Sequence, residues 1–191
     1  MPLPVLRLLL QYGALSEQET AVIANRFTTL PVKKDEHILK EGQVCKFLGF
    51  IESGLMMYYK VAEDGQEIVC DFAKENEWVT QYQSFTSKTP SPLFIKALEP
   101  SIIYTITSRH LDELYTEIKG FGNIARQLIE KALMDMIKRS VEFQNLRAEE
   151  RYEKMLSEYP SIVQRVPQYY VASFLGIAPP SLSRIRKNMS G

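Results

Sequence analysis

An α+β fold is what the sequence predicts: a β-barrel or jelly-roll domain first, a long helix after it, and a helix-turn-helix last. Three observations carry that expectation. Between residues 30 and 106 the chain breaks into short runs rich in β-branched and aromatic residues, HIL, FLGFI, LMMYYKV, EIVCDFA, FIKAL and SIIYTIT, separated by Gly, Pro, Asp and Asn. Many short strands at close spacing make a sandwich or a barrel. Residues 121–146 then run without proline, and without glycine after Gly122, carrying apolar residues at intervals of three and four. The chain ends in QYYVASFLGIAPPSLSRIRKNM, whose small, glycine and apolar positions suit two short helices crossing at a tight turn. At 191 residues, 45% hydrophobic and 24% charged, the composition is that of a globular protein able to bury a core. The chain divides into 1–120 (the β domain), 121–146 (the long helix) and 147–191 (the helix-turn-helix domain).

Taken in order, the apolar run Leu3 to Leu10 is broken by Pro4 and Arg7 and has no small-residue cleavage site, so neither a membrane span nor secretion is expected, and a cytoplasmic location is. Residues 15–27 have helical spacing behind Ser16, with Glu19 three residues on as its capping-box partner. The sequence Glu63-Asp64-Gly65-Gln66 between MMYYKV and EIVCDF predicts a hairpin, because Asp and Gly tolerate the positive φ of a tight turn. RHLDELYTEI reads as a short helix. In the long helix Ile124, Ala125, Leu128, Ile129, Ala132, Leu133, Met136 and Ile137 make a stripe wide enough to touch two neighbours. One side can cover the β domain. The chain has no second helix of that length, so the other side is expected to meet a second copy, with Ala125, Leu128, Ile129, Ala132 and Met136 at the seam. Shorter helices are expected at residues 148–157 and 161–165.

Several chemistries are disfavoured. Two cysteines, Cys45 and Cys70, cannot hold a four-thiolate cluster, and they read as buried free thiols. His37 and His110 are the only histidines, and each reads as a satisfied structural residue. No GxSxG, HExxH, P-loop or GxGxxG arrangement occurs. Neither an enzyme nor a cofactor or metal is expected.

The last segment satisfies one template at seven positions. Ala172 is the small residue of the first helix and Gly176 lies four later at the turn. Val171, Leu175 and Ile177 supply core contacts, and Leu182 and Ile185 form the inward face of the second helix. Pro179 suits a first helical turn, so that helix should run from there to about Asn188. Its remaining residues, Ser181, Ser183, Arg184, Arg186 and Lys187, are short donors and long cations, the side chains that meet DNA. Charge follows the same division. Residues 1–120 hold 12 basic and 16 acidic side chains, residues 121–191 hold 11 and 7, and no acidic residue follows Glu158. Arg165, Arg184, Arg186 and Lys187 supply the C-terminal excess, a local footprint for phosphate.

With these residues in place the chain resembles the Crp/Fnr family of bacterial transcription regulators. The stretches LKEGQVCKFLGFIESGLMMYYKVAEDGQEIVCDF and AEERYEKMLSEYPSIVQRVPQYYVASFLGIAPPSLSRIRK carry the resemblance, and its ending soon after LSRIRK is similar to the branch common in Bacteroidetes. The resemblance implies a cyclic-nucleotide-binding-like sensor, a homodimer, a double-stranded DNA operator, and RNA polymerase as a candidate partner. Two departures limit it. Cyclic-AMP-binding members hold the cyclic phosphate with a Gly-Glu pair and, about ten residues on, an Arg with a small hydroxyl residue. Here NEWVTQYQSFTSKTPSPLFIKAL has neither, and Ser91-Pro92 stands where the Arg pair would fall. Cyclic AMP bound in the family manner is therefore not expected, and an unidentified small effector near Phe72, Trp78, Gln81 and Tyr82 is the alternative occupant. The second departure is Pro179-Pro180, in place of the Arg-Glu pair that often opens the recognition helix, which leaves Arg184 as the base reader. The segment EYPSIVQRVPQ is too short for the wing hairpin. The competing reading is a cyclic-nucleotide- or small-ligand-binding protein whose helix-turn-helix docks a protein.

Overall fold

The computed structural model describes residues 3–189. Two four-stranded antiparallel sheets form the β roll. One has the order β1 (Thr28–Val32), β8 (Ser101–Thr107), β3 (Phe47–Ser53), β6 (Trp78–Val79), and the other the order β2 (His37–Leu39), β7 (Phe94–Ala97), β4 (Met56–Val61), β5 (Glu67–Ala73). The closed barrel that the sequence left open is not what forms. These are two separate jelly-roll-like sheets, because β2 and β6, with three and two residues, are too short to bridge one sheet to the next. Their facing sides bury Val32, Ile51 and Ile103 from one sheet against Met56, Ile95 and Ala97 from the other.

The second sheet is buried on both faces. Along β4 the side chains alternate: Met56 and Tyr58 join the core of the roll, while Met57 and Tyr59 join a different core on the outer side. That outer core consists mostly of the C-terminal helices α6 (Ala148–Glu158), α7 (Pro160–Arg165), α8 (Gln168–Phe174) and α9 (Pro179–Met189). Tyr152, Met155, Ile162, Val171, Leu175, Leu182 and Ile185 pack there with Leu55, Val69 and Phe72 of the roll. A strand buried on both faces reads as a continuous apolar run, which is why LMMYYKV lacks alternation.

A third cluster fastens the N-terminus. The expected helix over residues 15–27 is α2 (Glu17–Arg26), and its capping box is complete, with Ser16 Oγ accepting from Glu19 N–H and Glu19 Oε2 accepting from Ser16 N–H. Ahead of it lies α1 (Pro4–Leu9), which the sequence reading did not foresee. Its Val5, Leu6 and Leu9 pack with Ile23, Phe50 and Ile106, with Leu114 of α4 (Ser108–Glu117), and with Phe121 and Ile124 at the start of α5 (Phe121–Asn145). The short helix α3 (Tyr82–Ser87) was likewise not foreseen. The hairpin turn forms at Ala62 to Gln66, where Gly65 takes φ +84° and Asp64 stays at negative φ, its carboxylate accepting from Gln66 N–H instead. Cys45 is buried as expected, whereas Cys70 is exposed on the edge strand β5. Both are free.

Gly54, between β3 and β4, adopts φ +105°, and a Cβ built there would lie 2.0 Å from Ser101 Oγ and 2.7 Å from Ser101 Cα. Strain and overlap act together, so Gly54→Ala should cost about 3 kcal/mol of unfolding free energy. Gly65 also has positive φ but faces open space. Gly65→Ala should cost about 1 kcal/mol, and urea titration of both variants checks the ranking.

Candidate nucleic-acid interface and the roll interior

Helix α8 ends at Phe174 with Leu175 as its C-cap, Gly176 takes φ +68°, and α9 begins three residues later at Pro179. Ile177 N–H donates to Ala172 O at 3.0 Å and Gly176 N–H to Ser173 O at 3.0 Å, the return that a left-handed glycine permits at a helix end. The turn is crowded as well: a Cβ on Gly176 would sit 3.2 Å from the Phe143 ring of α5. Ala172, Val171, Leu182 and Ile185 are buried between the two helices and the rest of the domain. All seven template positions therefore fall where a helix-turn-helix needs them.

Leu182 and Ile185 fix the inward side of α9, and opposite them the helical period places Pro180, Ser183, Arg184 and Lys187, all exposed. Ser181 lies on one flank, half-buried, with its Oγ 3.5 Å from Arg184 Nη2. Arg186 is exposed on the other flank. Ser183 Oγ donates back to Pro179 O at 3.2 Å, a bond internal to the first turn. No strand occurs beyond Thr107 among the described residues, so the segment that was too short for a wing is α7 instead.

Arg165 does not belong to this surface. Its guanidinium meets Glu75 (2.7 and 2.9 Å) and Glu99 (2.5 and 3.2 Å), so the cation counted from sequence toward a phosphate footprint is neutralised within the chain. These contacts tie α7 to the loops that flank the second sheet. Three more residues join the two halves, and the sequence reading singled out none of them. Lys96 of β7, 8% exposed, donates to Glu67 of β5 at 2.8 and 2.9 Å and to the Tyr170 hydroxyl of α8 at 2.9 Å. Tyr170 in turn donates to Glu67 at 2.5 Å. Burial opposes the Glu67 carboxylate, but the bonds from Lys96 and Tyr170 outweigh it and hold its pKa below the ordinary range. Burial, and then the bond to Glu67, raises the Tyr170 hydroxyl. The available signal was Lys96 itself, a cation inside the apolar strand FIKA that burial obliges to find a partner.

On the other side of the second sheet the roll interior is filled. Cys45, Ile51, Met56, Phe85, Ile95 and Ala97 are buried there, and the Tyr58 hydroxyl accepts from Thr80 N–H at 3.1 Å. Gln81 caps α3, its side chain accepting from Ser84 N–H at 2.5 Å. Ser84 accepts from Cys45 N–H at 2.8 Å and donates to Thr89 O. Ser91, at the place where the resemblance would put an Arg pair, is 2% exposed and exchanges hydrogen bonds with Leu93 and with the backbone of Gly42 and Gln43. The nearest cation in sequence, Lys88, donates to Phe85 O at 2.7 Å and lies over the Phe85 ring.

The four residues suggested as an effector pocket are not brought together. Phe72 packs on Phe174 of α8 in the outer core, whereas Trp78 meets Phe50 edge-on in the N-terminal cluster. Gln81 is engaged as the cap, and Tyr82 is 52% exposed. Strand alternation turns Phe72 outward, and β6 faces the N-terminal helices. Both histidines are satisfied, His37 Nε2 with the Tyr59 hydroxyl at 2.7 Å and His110 Nδ1 with Arg26 O at 3.3 Å. No group of three or more potential metal ligands occurs among the described residues.

Of the expected seam residues on α5, Leu128 packs within the chain against the N-terminal cluster and Ala125 is half-buried. Ala132 is exposed, as are Ile129 (45%) and Met136 (57%), and the uncovered stripe continues through Leu133, Met134, Ile137 and Val141. No helix among the described residues is long and apolar enough to cross a membrane.

Residues 29–117 match the family model of the cyclic nucleotide-binding domain. Solved structures superpose on most of the chain. FixK2 from Bradyrhizobium japonicum superposes with a TM-score of 0.70 at 16% identity, covering 86% of this chain and 84% of that one. The c-di-GMP-responsive global regulator CLP of Xanthomonas campestris gives 0.68 at 16% identity, covering 92% of each. A regulator assigned to the Crp/Fnr family from Eubacterium rectale gives 0.67 at 17% identity, covering 92% and 84%. No curated protein sequence matches significantly. The chain thus carries a cyclic nucleotide-binding-type domain in a Crp/Fnr fold.

The Arg165 joint titrates. Chiefly through its bonds from Arg165, Glu75 has its pKa lowered to about 2. A carboxylate whose folded pKa is depressed contributes stability above its unfolded value near 4.5, and that contribution fades as pH falls toward about 2. Glu75→Gln should therefore melt lower than the native chain at pH 6, and the gap should shrink as pH falls through this window in thermal scans.

Proposed function

We propose that the chain is a homodimeric, sequence-specific DNA-binding transcription regulator whose roll does not take cyclic AMP in the family manner. The observation that carries the proposal is α9: buried Leu182 and Ile185 hold it on a glycine turn, with Ser183, Arg184 and Lys187 facing outward. A helix so held can enter the major groove. Arg184 is the base reader in this reading, its guanidinium able to take guanine O6 and N7 together. Ser181, Ser183, Arg186 and Lys187 meet phosphates. The uncovered stripe of α5 supports the dimer, since two half-sites need a two-fold axis and exposed Ile129, Leu133, Met136 and Ile137 need a partner. The filled roll supports the loss of the cyclic-phosphate clamp: a buried phosphate would stand beside Ser91 without a bidentate arginine.

Arg184→Ala should cost about 1–3 kcal/mol on a selected operator and relax the choice at one base pair per half-site. Lys187→Ala should weaken all sequences alike and reduce the salt slope by about 0.9 per bound subunit. Affinity measured against salt on operator and on random DNA separates them, and an equal loss on both for Arg184→Ala would make it a phosphate anchor. No salt-dependent binding in the native chain would favour the protein-docking alternative. A pair of changes on the exposed stripe, Ile129→Glu with Leu133→Glu, should give folded monomers by light scattering. Cyclic AMP at millimolar concentration should leave the melting temperature unmoved, where a bound ligand at about 100 times its dissociation constant would add about 2.7 kcal/mol.

A further inference from the structure

Helix α8 lies along β5, the edge strand of the second sheet. An edge strand leaves backbone donors and acceptors without neighbours. Here Ser173 of α8 supplies them, its Oγ accepting from Val69 N–H at 3.0 Å and donating to Glu67 O at 3.3 Å. Beside this contact sits the three-element cluster of Glu67 (β5), Lys96 (β7) and Tyr170 (α8), with the Lys96 ammonium 4.9 Å from the Tyr59 ring centre and 5.2 Å from that of Tyr170. A cation this buried adds little net stability over an apolar residue of the same size. What it does impose is direction. Apolar surfaces slide against one another at small cost, whereas three charge-assisted bonds meeting at one carboxylate admit a single alignment.

We infer that Glu67, Lys96 and Tyr170, with Ser173, are positioning residues that set the orientation of the recognition helix by locking its companion α8 to the edge strand β5. Since α8 and α9 pack on each other across the Gly176 turn through Ala172, Leu182 and Ile185, the alignment of α8 on β5 fixes where α9 points relative to the long helix. In a dimer this sets the distance and angle between the two recognition helices, and hence which half-site spacing is accepted. That consequence rests on the DNA-binding reading above, whereas the lock itself is a property of the folded chain alone.

The test separates the two. Nitroxide labels at Lys46→Cys in the roll and Asn188→Cys on α9, in a Cys70→Ser background and mixed with excess unlabelled chain so that a dimer carries one labelled copy, report the distance between the halves by double electron–electron resonance. The native chain should give one narrow distribution. Tyr170→Phe removes one oxygen and keeps the ring, and it should broaden or shift that distribution while circular dichroism stays native. Glu67→Gln should do the same. The double variant should be no broader than the broader single variant, the signature of one shared lock rather than general loosening. Ser173→Ala is a second, milder release of the same contact. On DNA, Tyr170→Phe should lower affinity for a two-half-site operator about tenfold, the size of one charge-assisted hydrogen bond, and flatten the preference for half-site spacing, with single half-site affinity and salt slope unchanged. An unbroadened distribution in Tyr170→Phe and Glu67→Gln, with only the melting temperature lowered, would overturn the inference. Should the native chain select no DNA sequence, the DNA-binding reading falls, and the distance measurement still decides the lock.

Discussion

The joint between the β roll and the C-terminal helices depends on one sheet being covered twice. The strands β2, β7, β4 and β5 present alternate side chains to opposite faces, one face filling the roll and the other forming the floor of the C-terminal domain. Two consequences follow from that single constraint. The roll interior must be completed from the other sheet and α3, which leaves it occupied by Phe85, Met56 and Ile95. The helix-turn-helix must rest on a surface whose shape is set by β4 and β5, so the β roll and the C-terminal helices share a core instead of being joined by a free linker. Burial of Met57, Tyr59, Val69 and Phe72 between them drives the association, and it does so without direction.

Direction comes from the polar contacts at the rim of that core. Arg165 with Glu75 and Glu99, and Lys96 with Glu67 and Tyr170, lie around the apolar centre, where partial desolvation makes misaligned charges costly. The same contacts change the electrostatic picture. The C-terminal excess of cations is real in sequence, but Arg165 is directed inward to two carboxylates, and the outward charge is concentrated on α9. A smaller patch on one helix face is a more specific feature than a broad basic tail, because the helix fixes the spacing of its side chains.

Much of this architecture was legible in the sequence. The helix-turn-helix could be placed to the residue because its constraints are local: a small Ala172, a left-handed Gly176 and a proline-started helix all act within twenty residues. The α2 cap and the β4–β5 hairpin were legible for the same reason. What escaped was set by distant contacts. Helix α1 looks like a short apolar run until Ile23, Phe50 and Phe121 are seen to receive it. Phe72 and Trp78 are both large and apolar, and only the pleat of β5 and the place of β6 at the opposite sheet show that they serve different cores. The bonds of Tyr170 span 103 and 74 residues, beyond any periodicity. Yet the absence of alternation in LMMYYKV did hold the information that this sheet has two neighbours.

The long helix shows how those neighbours are distributed. Its first turns are held by the N-terminal cluster, through Phe121, Ile124 and Leu128, and Arg139 further along pairs with Asp71 of β5. At its C-terminal end Arg151 of α6 donates to the carbonyls of Phe143 and Leu146 and also to that of Leu175, the last residue before the Gly176 turn. One guanidinium thus meets the negative ends of two helices, α5 and α8, where a cation is favoured. Between these two anchors the helix leaves Ile129, Leu133, Met136, Ile137 and Val141 uncovered. A helix fixed at both ends within its own chain cannot turn that stripe inward. Its apolar face stays directed outward, on the same rigid frame that holds α9.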